Sequence, residues 1–140
     1  MDLIRKYPCH LIKVIDGDSF IADIDLGFDI VLKSQSVRLD GIDTPELHSS
    51  DPVEQKQALL SKQALIDLIS SSNLILQVSK NDRDKYGRIL AIMISNGVNV
   101  NEHLSLHNYA VKYEGENKSK VKKQHLLNRQ ILINKGLLTI

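Results

Sequence analysis

Polar and hydrophobic residues alternate along the first part of the chain in a way that is typical of β-strands. Residues 19–26, SFIADIDL, show this period of two most clearly, with Ile21 as the one exception. Residues 10–15 form an apolar run that ends at the sequence DGD, positions 16–18, which is a turn signal. Residues 29–42 return as further strand. We therefore expect three consecutive strands before the first helix.

The first helix is predicted over residues 51–70. Apolar residues recur there at helical spacing, and Asp51 can cap the helix, with Pro52 in its first turn. Glu54 completes a D-x-x-E capping box. Residues 73–79 and 88–100 then predict two more strands, the second folding back at Asn-Gly in a hairpin turn.

Two further helices are predicted in the second half of the chain. Asn99 heads a possible capping box before a short helix that reaches about His107. Residues 119–135 form a third helix, with Ser119 as its cap and Gly136 as its stop. About five strands and three helices favour a small barrel with helices packed against it.

Composition favours a single domain over residues 1–140. The chain is 42% hydrophobic and shows no repeat, low-complexity segment or linker. Two Phe and no Trp leave Ile, Leu and Val to fill the core, and the lone Cys9 allows no internal disulfide. No signal-peptide run and no apolar run of membrane-spanning length occur, so we expect a cytoplasmic protein, with a phage or prophage gene as one possible source. We also expect a monomer.

Charge is unevenly distributed along the chain. The net charge is +1, but residues 1–50 carry 5 basic and 9 acidic side chains, whereas residues 116–140 carry 6 basic and 1 acidic. The acidic part could gather a cation, and the basic tail could meet phosphates. Its lysines could guide a nucleic-acid backbone, or they could form a solvated helix face: Lys118, Lys120, Lys122 and Lys123.

Oxygen ligands for a metal ion are concentrated around the segment VRLDGIDTPE, residues 37–46. Asp43 and Thr44 precede Pro45, which ends strand pairing, so they are expected at a strand exit facing a pocket. Asp18 follows a glycine turn, and two Asp side chains with a free carbonyl are the ligands that Ca²⁺ or Mg²⁺ prefers. The alternative for the DGD turn is that its aspartates only form the turn.

Two arginines could bind a phosphodiester at the same place. A guanidinium fork matches phosphate oxygens, and Glu46 could orient or deprotonate an attacking water. In a straight strand Arg38 would lie about 17 Å from Asp43, and a bend near Gly41 would bring it closer. Taken singly, Arg38 or Arg88 could also be an ordinary partner in a surface ion pair. Together these groups could hydrolyse a phosphodiester.

The segments VIDGDSF, VRLDGIDTPE and DKYGR, in this order and spacing, resemble the staphylococcal nuclease (thermonuclease) family. The likeness runs from about residue 10 to the C-terminus and includes KKQHLLNRQ. It implies an α+β fold, an OB-fold five-stranded β-barrel with three helices, and a Ca²⁺-dependent nuclease. The implied metal ligands are Asp18, Asp43 and the Thr44 carbonyl; the implied catalytic residues are Arg38, Glu46 and Arg88; Lys85 and Tyr86 would contact the terminal phosphate and nucleotide.

One departure from the family concerns base stacking. Where secreted members have two tyrosines before the third helix, this chain has VKYEGENKSK, so Tyr113 alone remains and Glu114 follows it. We keep Tyr113 as a substrate-binding candidate and expect weaker stacking of bases.

The resulting hypothesis is a metal-dependent nuclease that acts on DNA, with RNA as a further candidate substrate. The main alternative is an OB-fold module that binds nucleic acid without cleaving it; a purely structural domain explains neither DTPE nor DKYGR. The sequence leaves open endo- or exonucleolytic cleavage and the choice among Ca²⁺, Mg²⁺ and Mn²⁺. His103 and His107 have a zinc-compatible spacing but no third ligand, and the other histidines, His10, His48 and His125, form no recognisable arrangement.

Overall fold

The computed structural model describes residues 3–71, 73–79, 83–115 and 117–140. Five longer strands are β1 (Arg5–Asp16), β2 (Ser19–Gly27), β3 (Ile30–Leu39), β5 (Leu74–Val78) and β6 (Ile89–Ser95). Three short strands are β4 (Ile42–Asp43), β7 (Val98–Asn99) and β8 (Val111–Lys112). The helices are α1 (Pro52–Ile69), α2 (Val100–Leu106) and α3 (Lys118–Asn134).

The five longer strands close into a barrel. Their order is β3-β2-β1-β5-β6, all antiparallel, and a parallel pairing of β3 with β6 joins the two ends. This pairing places Arg38 opposite Leu90. With the three helices, the arrangement is the α+β, OB-fold-like barrel that the resemblance implied, so the predicted fold is confirmed.

The alternation in β2 produces the inner face of the barrel. Phe20, Ala22 and Ile24 are buried, while Leu26, which continues the pattern, is largely exposed near the hairpin end. Aliphatic side chains from the other strands and from α1 and α2 complete the core, as the composition predicts. Phe20 is the aromatic exception, with none of its surface exposed.

The first helix begins as predicted at Asp51, whose carboxylate accepts from the Val53 amide at 3.0 Å. The capping box closes differently, because the Glu54 carboxylate accepts from the Ser49 hydroxyl at 2.5 Å. Ser49 also accepts from the Asp51 amide, so it links the cap to Glu54.

The β6–β7 hairpin and α2 follow their local signals. Asn96 and Gly97 both have positive φ, at 50° and 80°, as a two-residue hairpin turn requires. Asn99 then caps α2, accepting from the Glu102 amide at 3.0 Å.

The N-cap of the third helix lies two residues earlier than predicted. Asn117, not Ser119, is the N-cap, and its side-chain oxygen accepts from the Ser119 amide at 2.7 Å. Gly136 ends the helix with a φ of 74°, as predicted. None of the described helices is both long enough and apolar enough to span a membrane.

Candidate active site

A turn between β3 and β4 brings Arg38 back to Asp43. Strand β3 ends at Leu39, and Gly41 takes a φ of 77°, a left-handed conformation that glycine adopts without strain. The Arg38 Nη2 consequently lies 3.7 Å from Asp43 Oδ1, far closer than a straight strand allows. The turn at Gly41 is thus the kind of bend that the sequence analysis left open.

The β1–β2 turn brings Asp18 to the same guanidinium. Arg38 Nη1 lies 3.3 Å from Asp18 Oδ2, which also accepts from the Thr44 amide at 3.1 Å. Gly17 lets the turn approach this closely, because a Cβ there would lie 2.9 Å from the Ser61 Cβ and 3.0 Å from the Thr44 Cγ2. One arginine thus contacts two carboxylates that are 25 positions apart in the chain.

The charges of this cluster are not balanced. Burial raises the pKa of Asp18 to about 7, against the opposing influence of Arg38, and the nearby Asp16 adds to the rise. Burial also works against ionisation of Asp16, but hydrogen bonds from Asp18 and Ser19 outweigh it and hold the pKa of Asp16 below its usual value. Three carboxylates, those of Asp16, Asp18 and Asp43, thus lie near the single Arg38 guanidinium, an arrangement that suits a bound cation.

The metal-ligand candidates form a pair of carboxylates rather than a closed cage. Asp18 is 7% exposed and Thr44 is 5% exposed, whereas the Asp43 side chain is 33% exposed and opens to solvent. Across the described residues, no three His, Cys, Asp or Glu side chains come together in a metal-binding group. An ion held here would need backbone carbonyl, water or substrate oxygens as additional ligands.

Asp84 organises the loop that carries the other arginine. Its carboxylate accepts from Arg88 Nε at 2.8 Å and from the amides of Tyr86 and Arg88, both at 2.9 Å. The Tyr86 ring is 72% exposed and lies beside two cations, with Lys85 Nζ at 5.3 Å and Arg88 Cζ at 5.5 Å from its centroid. Lys85, Tyr86 and Arg88 thus form a basic and aromatic edge of the site.

Two hollows lie on either side of the Arg38–Asp43 contact. The arginine hollow, about 630 Å³, contains both arginines and the three predicted substrate-binding residues in its lining: Arg38, Arg88, Lys85, Tyr86 and Tyr113. The glutamate hollow, about 590 Å³, is lined by Asp43, Glu46, Tyr113, His125 and residues of α1 and α3 that include Lys118 and Lys122. Tyr113 borders both hollows.

The predicted site residues are therefore brought to one region in two groups. Asp18, Arg38 and Asp43 are in direct contact, and Arg88 shares a hollow with Arg38. Glu46 is exposed and shares the other hollow with Asp43. A phosphodiester at the Arg38–Asp43 contact could face arginines on one side and Glu46 on the other.

His125 is the member of this region that sequence reasoning missed. Its Nε2 lies 2.8 Å from Asp43 Oδ2. The available signal was its spacing in α3, since the buried positions Val121, Asn128 and Leu132 place residue 125 on the same inward face. That spacing indicates contact with the barrel but not with which side chain.

Comparisons with known proteins place these residues in a family context. Residues 36–135, more than half of the chain, match the model of the family described as staphylococcal nuclease homologue. The matched segment includes every predicted site residue except Asp18. A thermonuclease of Staphylococcus hyicus is 32% identical over 81 residues, which cover 58% of this chain and 44% of that protein. The chain therefore aligns with less than half of this relative.

Proposed function

Because this chain belongs to the staphylococcal nuclease homologue family, we propose that it is a metal-dependent nuclease. It hydrolyses phosphodiester bonds of DNA, with RNA as a second candidate substrate, by attack of water on phosphorus. The observation that carries this proposal is the contact of Arg38 with both Asp18 and Asp43, which puts a phosphate-binding group beside a pair of oxygen ligands.

The donor set fits a hard divalent cation such as Ca²⁺. Two carboxylates supply anionic oxygens, and the Thr44 carbonyl is a further candidate ligand. Bound there, the ion would polarise a phosphate oxygen and acidify its own water. Asp18 and Asp43 would hold it.

The arginines supply positive charge where the transition state gains negative charge. Arg38 is 14% exposed and held in place by its own contacts, including donation from Nη1 to the Leu39 carbonyl at 2.8 Å. Arg88 is fixed through Nε by Asp84, and no hydrogen bond of its terminal nitrogens is seen within the described residues. Such preorganised cations bind phosphate oxygens without reorganising during the reaction.

Glu46 is the proposed residue for the attacking water. It lies exposed in the glutamate hollow beside Asp43, where its carboxylate can orient the water or accept its proton. Lys85, Tyr86 and Tyr113 are the proposed contacts to the flanking phosphate and nucleotide, because all three line the arginine hollow.

The test is the release of acid-soluble nucleotides from single-stranded DNA and from RNA, with Ca²⁺, Mg²⁺ or Mn²⁺ and with EDTA. We expect EDTA to abolish release, Glu46→Gln to lower kcat by about 100-fold, and Arg88→Ala to lower it by about 100- to 1000-fold. Glu102→Gln and Arg5→Ala, exposed charges outside both hollows, are the matched controls and should leave the rate unchanged.

Two results would contradict the proposal. Release that persists in EDTA excludes the metal, and unchanged rates in Glu46→Gln and Arg88→Ala exclude the assigned residues. Binding of DNA without cleavage under every divalent cation would favour a non-catalytic nucleic-acid-binding module.

A further inference from the structure

His125 makes a close contact with a carboxylate of the candidate metal site. His125 Nε2 lies 2.8 Å from Asp43 Oδ2, and a hydrogen bond to an ionised carboxylate requires a proton on Nε2. The contact of Asp43 Oδ1 with Arg38, at 3.7 Å, is longer than a hydrogen bond. Of the described residues, His125 alone hydrogen-bonds the Asp43 side chain.

From this contact we propose that His125 is a positioning residue: it holds Oδ2 of Asp43, so that Oδ1 is presented toward Arg38 and Asp18 for the cation. The inference rests on the proposed metal-dependent function. Asp43 lies in a strand of only two residues and its side chain is 33% exposed, so little else limits its rotation. Partners that orient metal-binding carboxylates act in this way on affinity.

Helix α3 is itself fixed at the turn that carries His125. The buried Gln57 of α1 donates from Nε2 to the His125 carbonyl at 3.1 Å, and its Oε1 accepts from Arg129 Nε at 3.2 Å. Arg129 also binds Asp51, the cap of α1, at 3.2 Å. The backbone that carries the His125 imidazole is therefore held in place by α1.

The other ring nitrogen makes no hydrogen bond within the described residues that competes with the contact to Asp43. His125 Nδ1 is buried and has no hydrogen-bond partner in the part of the chain that the structure describes. The histidine thus contributes through its contact with Asp43.

The experiment compares His125→Leu, which removes the donor, with His125→Gln, whose amide can restore a donor near the Nε2 position. Ca²⁺ affinity is measured by calorimetry, thermal stability without metal by circular dichroism, and kcat and KM on single-stranded DNA. We expect His125→Leu to weaken Ca²⁺ binding by about 10- to 100-fold and to lower kcat at fixed Ca²⁺ with KM for DNA unchanged. Its Tm without metal should fall only slightly, because one hydrogen bond to a partly exposed carboxylate is lost.

His125→Gln should recover most of the lost affinity, and His107→Gln, on the exposed end of α2, is the matched control. Equal Ca²⁺ affinity in wild type and His125→Leu would overturn the inference while leaving the proposed function intact. So would a large fall in Tm for His125→Leu, which indicates a structural role.

A metal-free measurement separates this inference from the nuclease proposal. In the apo protein, nitrogen NMR of the His125 ring should show the proton on Nε2, and Asp43→Ala should change that signal. A ring protonated on Nδ1 alone overturns the inference, whatever the activity. Failure of the wild type to bind any divalent cation overturns both proposals.

Discussion

Replacing Asn101 by alanine should release the turn that brings Arg38 to Asp43. Asn101 lies in the first turns of α2 and is 5% exposed. Its side-chain oxygen accepts from the Met93 amide at 3.1 Å, and its nitrogen donates to the carbonyls of Asp40 at 2.9 Å and Ala91 at 3.1 Å. The one side chain therefore ties strand β6 to the β3–β4 turn.

The expected loss follows from these bonds. Three hydrogen bonds at about 1 kcal/mol each give about 3 kcal/mol. The Ala91 carbonyl keeps a second donor, the Asp40 amide at 2.9 Å, but the Met93 amide would remain buried without a partner. The unpaired amide adds about 1 kcal/mol, so the total is about 4 kcal/mol. Since a native domain is stable by only about 5–15 kcal/mol, the loss is large.

Urea denaturation followed by far-ultraviolet circular dichroism suits a chain without Trp. Asn101→Ala should lower the midpoint with an unchanged slope. Asn101→Asp keeps the acceptor but loses both donors and buries a carboxylate against two carbonyls, so its midpoint should fall at least as far. Asn99→Ala, which loses one capping bond to the Glu102 amide, is the control and should cost about 1 kcal/mol. If Asn101→Ala is as stable as Asn99→Ala or more stable, the proposed tie between β6 and the turn is wrong.

Three other predictions test separate parts of the fold. Gly17→Ala should destabilise the protein by about 1–3 kcal/mol in urea, because its Cβ would crowd Ser61 and Thr44; an unchanged midpoint contradicts this. Asn117→Ala should lower stability by about 1 kcal/mol and Ser119→Ala by less than about 0.5 kcal/mol, and the reverse order would restore Ser119 as the cap. Burial raises the pKa of Cys9 from 9.0 to about 11, so alkylation at pH 8 should be about 100-fold slower than for an unperturbed thiol. Because the thiol then ionises more readily in the unfolded chain, the folded state should lose stability as pH rises above about 9. Alkylation at the rate of a free thiol would contradict the burial.

The elements that were predicted well are those whose signals are local. The alternation in residues 19–26 reflects one face turned to the core, and Asn96-Gly97 predicts its turn because both residues tolerate positive φ. The start of α1 at Asp51 was predictable for the same reason, since a cap bonds amides within its own first turn.

The features that were predicted wrongly depend on competition between neighbours. Asn117 and Ser119 are both good caps two positions apart, and the pattern alone does not decide which of them ends the preceding loop. The Glu54 carboxylate likewise has two possible donors, and the Ser49 hydroxyl is the one that reaches it. The pairing of β3 with β6 that closes the barrel is non-local, so the pattern suggested a small barrel without indicating which strands close it.

The candidate site shows the same limit more sharply. Arg38 and Asp43 belong to one short motif, so a bend at Gly41 was enough to bring them together. His125 is separated from Asp43 by 82 positions and reaches it only because α3 packs beside the barrel. The barrel therefore supplies the carboxylates, whereas the hydrogen bond to Asp43 comes from the last helix. It follows that the geometry of Asp43 depends on the docking of α3, a dependence that no motif within VRLDGIDTPE can reveal.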